Sequence, residues 1–178
     1  MHNSSTRREV NMESEVRELL VDELRDAYSA EKQALRGMQR ALRSASAEPL
    51  RQGIQHHIEQ TQTHIERVEQ ALEKLKSRPG RKVCEAMRGL LEEAEHEIAD
   101  HEAKGPVLDL LIASQLQRVE HYEIAAYGTN VALAKALKES EVERLLAETL
   151  QEEKETDKKL TEVSTQKLMP AAMNGGAR

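Results

Sequence analysis

The feature that most constrains this chain is how rarely it is interrupted. Prolines and glycines gather at four places: "SASAEPLRQG" with Pro49, "KSRPGRK" with Pro79 and Gly80, "AKGPV" with Gly105 and Pro106, and "LMPAAMNGGAR" with Pro170. Between them, apolar residues recur at spacings of three and four, the pattern of amphipathic helices. The spacing predicts helices over about Ser14–Ala45, Ala47–Lys76, Lys82–Ala103, Pro106–Leu137 and Ser140–Lys167. Pro106 directly after Gly105 suits a helix start. No strand pattern competes, so the expected fold class is all-α.

Lengths turn helices into an architecture. A helix of ~30 residues is about 45 Å long. The short link "KALKES" makes helices four and five antiparallel neighbours, and the break at Pro49 does the same for helices one and two. Two hairpins joined by a long connection give an antiparallel four-helix bundle, here with a short fifth helix on the crossover. The bundle domain is expected over residues 14–168, with flexible tails at 1–13 and 169–178.

Composition narrows the function. Charged residues make up 33% of the chain and aromatics 2%, as in long-helix proteins. A net charge of -6, with no basic tract interleaved with aromatics, argues against nucleic-acid binding. No apolar run approaches the ~20 residues of a membrane span. The N-terminal "MHNSSTRREVNMESEV" has no apolar core of a secretory signal. The single cysteine, Cys84, cannot form an internal disulfide. A cytoplasmic location is therefore expected.

The charges inside the apolar stripes carry the chemistry. In helix one, Glu31 falls in step with Leu24, Leu35, Met38 and Leu42, within roughly 20° of the line through Leu24. In helix two, His57 and His64 flank the stripe of Ile54, Ile58, Ile65 and Val68, with Thr61 between them. In helix four, Glu120, Glu123, Tyr127 and Asn130 lie within roughly 40° of one line. In helix five, Glu153 and Asp157 keep time with Leu146, Leu150 and Leu160, while Glu152, Lys154, Lys158 and Lys159 spread around the other side. A buried carboxylate is costly unless paired, hydrogen-bonded or metal-bound. Against this stands the plainer reading that such residues sit where a bundle admits water, or that "QEEKETDKK" is only a solvated face. The hairpins look like degenerate copies: Glu31 matches Glu123, and His57 with Thr61 matches Glu153 with Asp157. Converging carboxylates repel one another, and a pair of divalent cations removes that penalty. Oxygen and imidazole donors without thiolate suit Fe or Mn, and Zn less exclusively. The one literal Glu-x-x-His, Glu93 to His96, is turned away by the stripe Met87, Leu91, Ala94 and Ile98. Cys84 reads either as a buried small residue or as a thiol with a lowered pKa near a helix start.

The segments "YSAEKQAL", "HHIEQTQTHIERVEQ", "CEAMRGLLEEA", "VEHYEIAAYGT" and "LQEEKETDKKLTEV" closely resemble the YciE/YciF-like group of ferritin-like bacterial proteins associated with stress. The resemblance runs in the same order from about Glu18 to Val163. It implies a ferritin-like bundle, a homodimer and a di-metal centre. The chain departs from the usual di-iron pattern of Glu-x-x-His in two helices. "HxxxT" stands in helix two and Glu153-x-x-x-Asp157 in helix five.

Two function classes follow. The first is a di-metal carboxylate protein that oxidises Fe(II) or removes peroxide, with dioxygen or peroxide as the small ligand. Glu31 and Glu123 would bridge, His57, Glu153 and Asp157 would be terminal ligands, and Glu120 would be a ligand or a base. His64 is a further candidate ligand, and Tyr28, Thr61 and Tyr127 would stand behind the ligands. The second is a non-catalytic helical stress or interaction protein with a structural or vestigial metal site.

Overall fold

The computed structural model describes residues 3–101 and 105–175. Six α-helices account for most of them: α1 Asn3–Ser44, α2 Glu48–Lys74, α3 Glu85–Asp100, α4 Pro106–Ala136, α5 Ser140–Val163 and α6 Met169–Gly175, with a π-helical turn at Ser164–Leu168 between the last two. No strand occurs among the described residues.

Helix α1 packs on α2, α2 on α5, α5 on α4 and α4 on α1, closing a four-helix ring. Its partners run oppositely: Tyr127 of α4 reaches Glu31 of α1, while Asp109 at the start of α4 reaches the end of α1. Helices α2 and α4 therefore run the same way. The chain must travel back along the bundle between them, and α3 rides on that crossover, against α1 and α4. This is the expected two-hairpin bundle with a long crossover.

Specific groups fix the ends. Buried Asp109 accepts hydrogen bonds from the Ser46 backbone (2.7 Å), the Ser46 hydroxyl (2.7 Å) and the Ala47 backbone (3.0 Å), tying the first hairpin loop to α4. Helices α2 and α4 stop alike, with Lys76 (φ 57) and Lys138 (φ 58) in the left-handed region usually given to glycine. Ser77 N–H donates to Leu72 C=O and Glu139 N–H to Ala134 C=O, closing the last turns. At the head of α3, buried Cys84 caps the helix by accepting from Met87 N–H. Burial pushes its thiol pKa up, so the reading of Cys84 as an activated thiolate does not hold. Gly37 has a packing reason: a Cβ there would stand 2.6 Å from Leu91 of α3.

The boundaries depart from expectation at both ends. Helix α1 begins at Asn3 rather than near Ser14, because polar residues without a stripe do not stop a helix that no proline interrupts. Beyond Val163 the chain stays helical to Gly175, through the π turn, instead of fraying from Pro170. Proline cannot donate to the carbonyl four residues back, and the register change sits just before it. The expected end of the crossover helix at Ala103, and residues 1–2 and 176–178 of the two tails, lie outside the described residues.

The core falls into layers. Leu20, Leu24, Leu72, Ala134 and Leu146 fill one end of the bundle. Met38, Ile54, Ile112, Leu116 and Leu160 fill the other. A polar layer lies between them.

Candidate metal centre

Each helix of the ring sends carboxylate or imidazole groups into that layer. Glu31 comes from α1, His57 and His64 from α2, Glu120 and Glu123 from α4, and Glu153 from α5, all buried. They form two overlapping groups, His57–Glu120–Glu123–Glu153 and Glu31–His64–Glu153, each with one ligand atom per residue inside a 4.8 Å span. Ligands at about 2.0–2.2 Å from a cation lie within roughly 4.4 Å of one another, so the groups are of the size a cation fills. The carboxylate common to both is Glu153, rather than the Glu31 and Glu123 expected to bridge.

The imidazoles are oriented from behind. The Thr156 hydroxyl donates to Glu152 C=O (3.0 Å) and so can only accept from His57 Nδ1 at 3.2 Å. That places a proton on His57 Nδ1 and turns Nε2 toward Glu120 (3.2 Å) and Glu153 (3.3 Å). His64 is mounted the other way. Its Nε2 meets Glu152 Oε2 at 2.8 Å, and Arg67 clamps that carboxylate with Nη1 at 2.6 Å and Nη2 at 3.1 Å. His64 Nδ1 then faces Glu153 Oε1 at 2.9 Å and Glu31 Oε1 at 3.5 Å. Neither approach meets hydrogen-bond geometry, so both are close ion contacts. A carboxylate behind a histidine is the usual means of orienting it toward a metal.

The carboxylates fit a cation for a second reason. Glu31 Oε2, Glu120 Oε2, Glu123 Oε1 and both Glu153 oxygens are buried without a hydrogen-bond donor. Unpaired buried carboxylates cost several kcal/mol or take up protons. In the metal-free protein, burial pushes Glu120 and Glu153 each up to about 8 and raises Glu123 well above the carboxylate range. Burial opposes charge on His64, but its contacts with Glu153 and Glu31 outweigh it and push the imidazolium up to about 11. Four carboxylates balance two divalent cations in formal charge.

The sequence expectations fare unequally. Glu31, His57, His64, Glu120, Glu123 and Glu153 come together. Tyr127 is buried and donates to Glu31 Oε1 at 2.5 Å. Thr61 is buried on α2 between the histidines. Asp157 stands outside both groups, 24% exposed, accepting from Gln117 Nε2 (3.2 Å) and facing His121 (3.1 Å) at the α4–α5 seam. One residue before it, Thr156 takes the inward position, because the buried line of α5 runs roughly 30° to the Thr156 side of Glu153 and leaves Asp157 about 70° away from it. Tyr28 also turns outward, donating to Glu69 at 2.9 Å between α1 and α2. Glu93 and His96 are exposed, Glu93 pairing with Arg118 at 2.5 Å. Glu152, expected on the solvated side, instead supports His64. Arg67, three residues after His64 and so on the same side of α2, was the available signal for an acidic partner there.

The fold and this layer define a class, a helical bundle with a buried cluster of histidines and glutamates able to hold metal. The sequence matches the family described as a domain of unknown function (DUF892) over residues 15–173, and the chain belongs to that family. It is 40% identical to protein YciF of Escherichia coli (strain K12) over 166 residues, covering 93% of this chain and 99% of that one. Among solved structures, the E. coli stress protein YciF matches with a TM-score of 0.79 at 41% identity, covering 84% of this chain and 94% of that one. A protein of Xanthomonas campestris pv. campestris, XCC3681, matches with a TM-score of 0.70 at 26% identity over 91% of this chain and 99% of that one.

Proposed function

We propose that this chain is a di-metal carboxylate protein acting in stress response, holding two divalent cations, iron first and manganese or zinc as alternatives. The supporting observation is the pair of buried ligand groups that overlap at Glu153. Bound Fe(II) supplies two electrons per pair, enough to reduce peroxide to water or dioxygen to peroxide. The chain's residues do the rest. Thr156 and Glu152 fix which ring nitrogen of each histidine faces the centre. Tyr127 holds Glu31 by Oε1 and leaves Oε2 free to bind. The apolar layers above and below keep bulk water away, which strengthens every charge interaction inside. The same proposal includes assembly as a homodimer in the cytoplasm, with sedimentation at micromolar concentration as the check on assembly.

The test is reconstitution with Fe(II) under anaerobic conditions, followed by elemental analysis. Wild-type protein should hold about two ions per chain, by the charge balance of its four carboxylates, and a Glu31→Ala, Glu123→Ala double variant should hold none. Wild-type protein without bound iron ends the proposal. Mixing the Fe(II) form with peroxide or air should then oxidise iron much faster than buffer does. One observation favours a second, non-catalytic reading: a charged His64 between Glu31 and Glu153 partly balances the core without any cation. Binding without accelerated oxidation would select that reading.

A further inference from the structure

One hollow in the bundle reaches the candidate centre. It has about 50 Å³ of free space, where a single water-sized molecule needs roughly 10–15 Å³. Its outer rim is exposed Pro49, Gly53, His56 and Lys159, and its inner end is His57, Glu120 and Thr156. The wall between is Met38, Leu50, Ile54, Leu116 and Leu160, which offers no hydrogen-bonding side chain. Helix α5 leaves α-helical register directly after Val163, which also lines the hollow. The larger hollow between α1, α3 and α4, about 320 Å³, has none of the six inward ligands in its wall.

Gly53 strengthens the argument. A glycine inside a helix costs about 1 kcal/mol relative to alanine. Unlike Gly37, this one makes no close contact that requires it, since a Cβ there would meet nothing within 4 Å. It lines the mouth of the hollow, and the space its Cβ would take is open to a larger side chain. Hydrogen peroxide entering an apolar wall would give up hydrogen bonds to water at about 1–3 kcal/mol per hydroxyl. Dioxygen has none to lose.

We propose that this hollow is the route by which dioxygen reaches the His57–Glu120 side of the centre, and that dioxygen rather than peroxide is the oxidant it admits. The inference rests on the di-metal reading and names its oxidant. The direct test is metal-independent: crystals of the protein pressurised with xenon should show the gas between Met38, Leu116 and Leu160. Gly53→Leu and Leu160→Phe should each lose that xenon site while Fe(II) stoichiometry stays at the wild-type value. In the iron-loaded protein both variants should slow dioxygen-driven oxidation several-fold and leave peroxide-driven oxidation unchanged. Xenon absent from the wild-type hollow, or both oxidants slowed alike, would overturn the proposal. Wild-type protein that takes up xenon but no iron would instead overturn the di-metal reading beneath it.

Discussion

The two ligand groups share Glu153 but are held in different ways. The Glu31–His64 side is braced: Tyr127 donates to Glu31, and Arg67 through Glu152 fixes His64. The His57–Glu120–Glu123 side is loose. Thr156 orients His57, Glu120 and Glu123 each keep a buried oxygen without a donor as Glu31 does, and the small hollow opens beside His57 and Glu120. A braced half suits a ligand set that should not move. A half with an opening beside it suits coordination that must change when a small molecule arrives. The contribution pattern carries the same lesson. Helices α1 and α5 give one residue each and α2 and α4 give two, so the hairpins complement one another rather than repeat.

The sharpest way to break the comparison is to remove what the halves share. Glu153→Gln should abolish binding at both groups, taking Fe(II) stoichiometry from its wild-type value to near zero, whereas Glu123→Gln should leave at least one ion bound. If Glu153→Gln binds as wild type does, the groups are independent and the two-ion geometry is wrong.

Next in size is the pH response of the metal-free core. Glu120 and Glu153, raised from 4.5 to about 8 in the fold, keep protons that the unfolded chain has already released. Stability therefore falls as pH rises through that window. His64, raised from 6.5 to about 11, contributes stability present below its unfolded pKa and lost as pH rises through its folded one. Both slopes have the same sign, so their effects add. The thermal midpoint of metal-free protein should drop by several degrees from about pH 5 to about pH 9, with metal binding near pH 7 releasing protons. A midpoint that rises across this range would show that the carboxylates are not buried together.

A smaller effect probes the braced half alone. Arg67→Met leaves Glu152 without its clamp and should weaken metal affinity at the His64 group by about 10–100-fold. Chelator competition should resolve it as a change in one of two affinities. An equal change in both would erase the distinction between the halves. The smallest effect belongs to the position outside both groups. Asp157→Asn should leave metal stoichiometry unchanged and alter stability by less than about 1 kcal/mol, since its partners are at the surface. Metal loss in this variant would return Asp157 to the centre.

The sequence by itself determined the class of fold. Few breaks, period-3.6 stripes and short hairpin links leave an all-α bundle with a crossover as the arrangement that buries every stripe. It also determined the inward carboxylates of α1 and α4, because Glu31, Glu120 and Glu123 stand in step with apolar neighbours on their own helices. Only the tertiary structure decided the rest. The angle between adjacent positions is about 100°, so an apolar stripe tells inside from outside but not which neighbour a flanking residue meets. That is why Asp157 and Tyr28 fall at seams between helices while Thr156 turns inward, and why Glu152 finds His64 across the α2–α5 interface. The sharing of Glu153 between two groups, the orientation of each imidazole and the hollow under Gly53 are likewise relations between helices, fixed by how four of them pack.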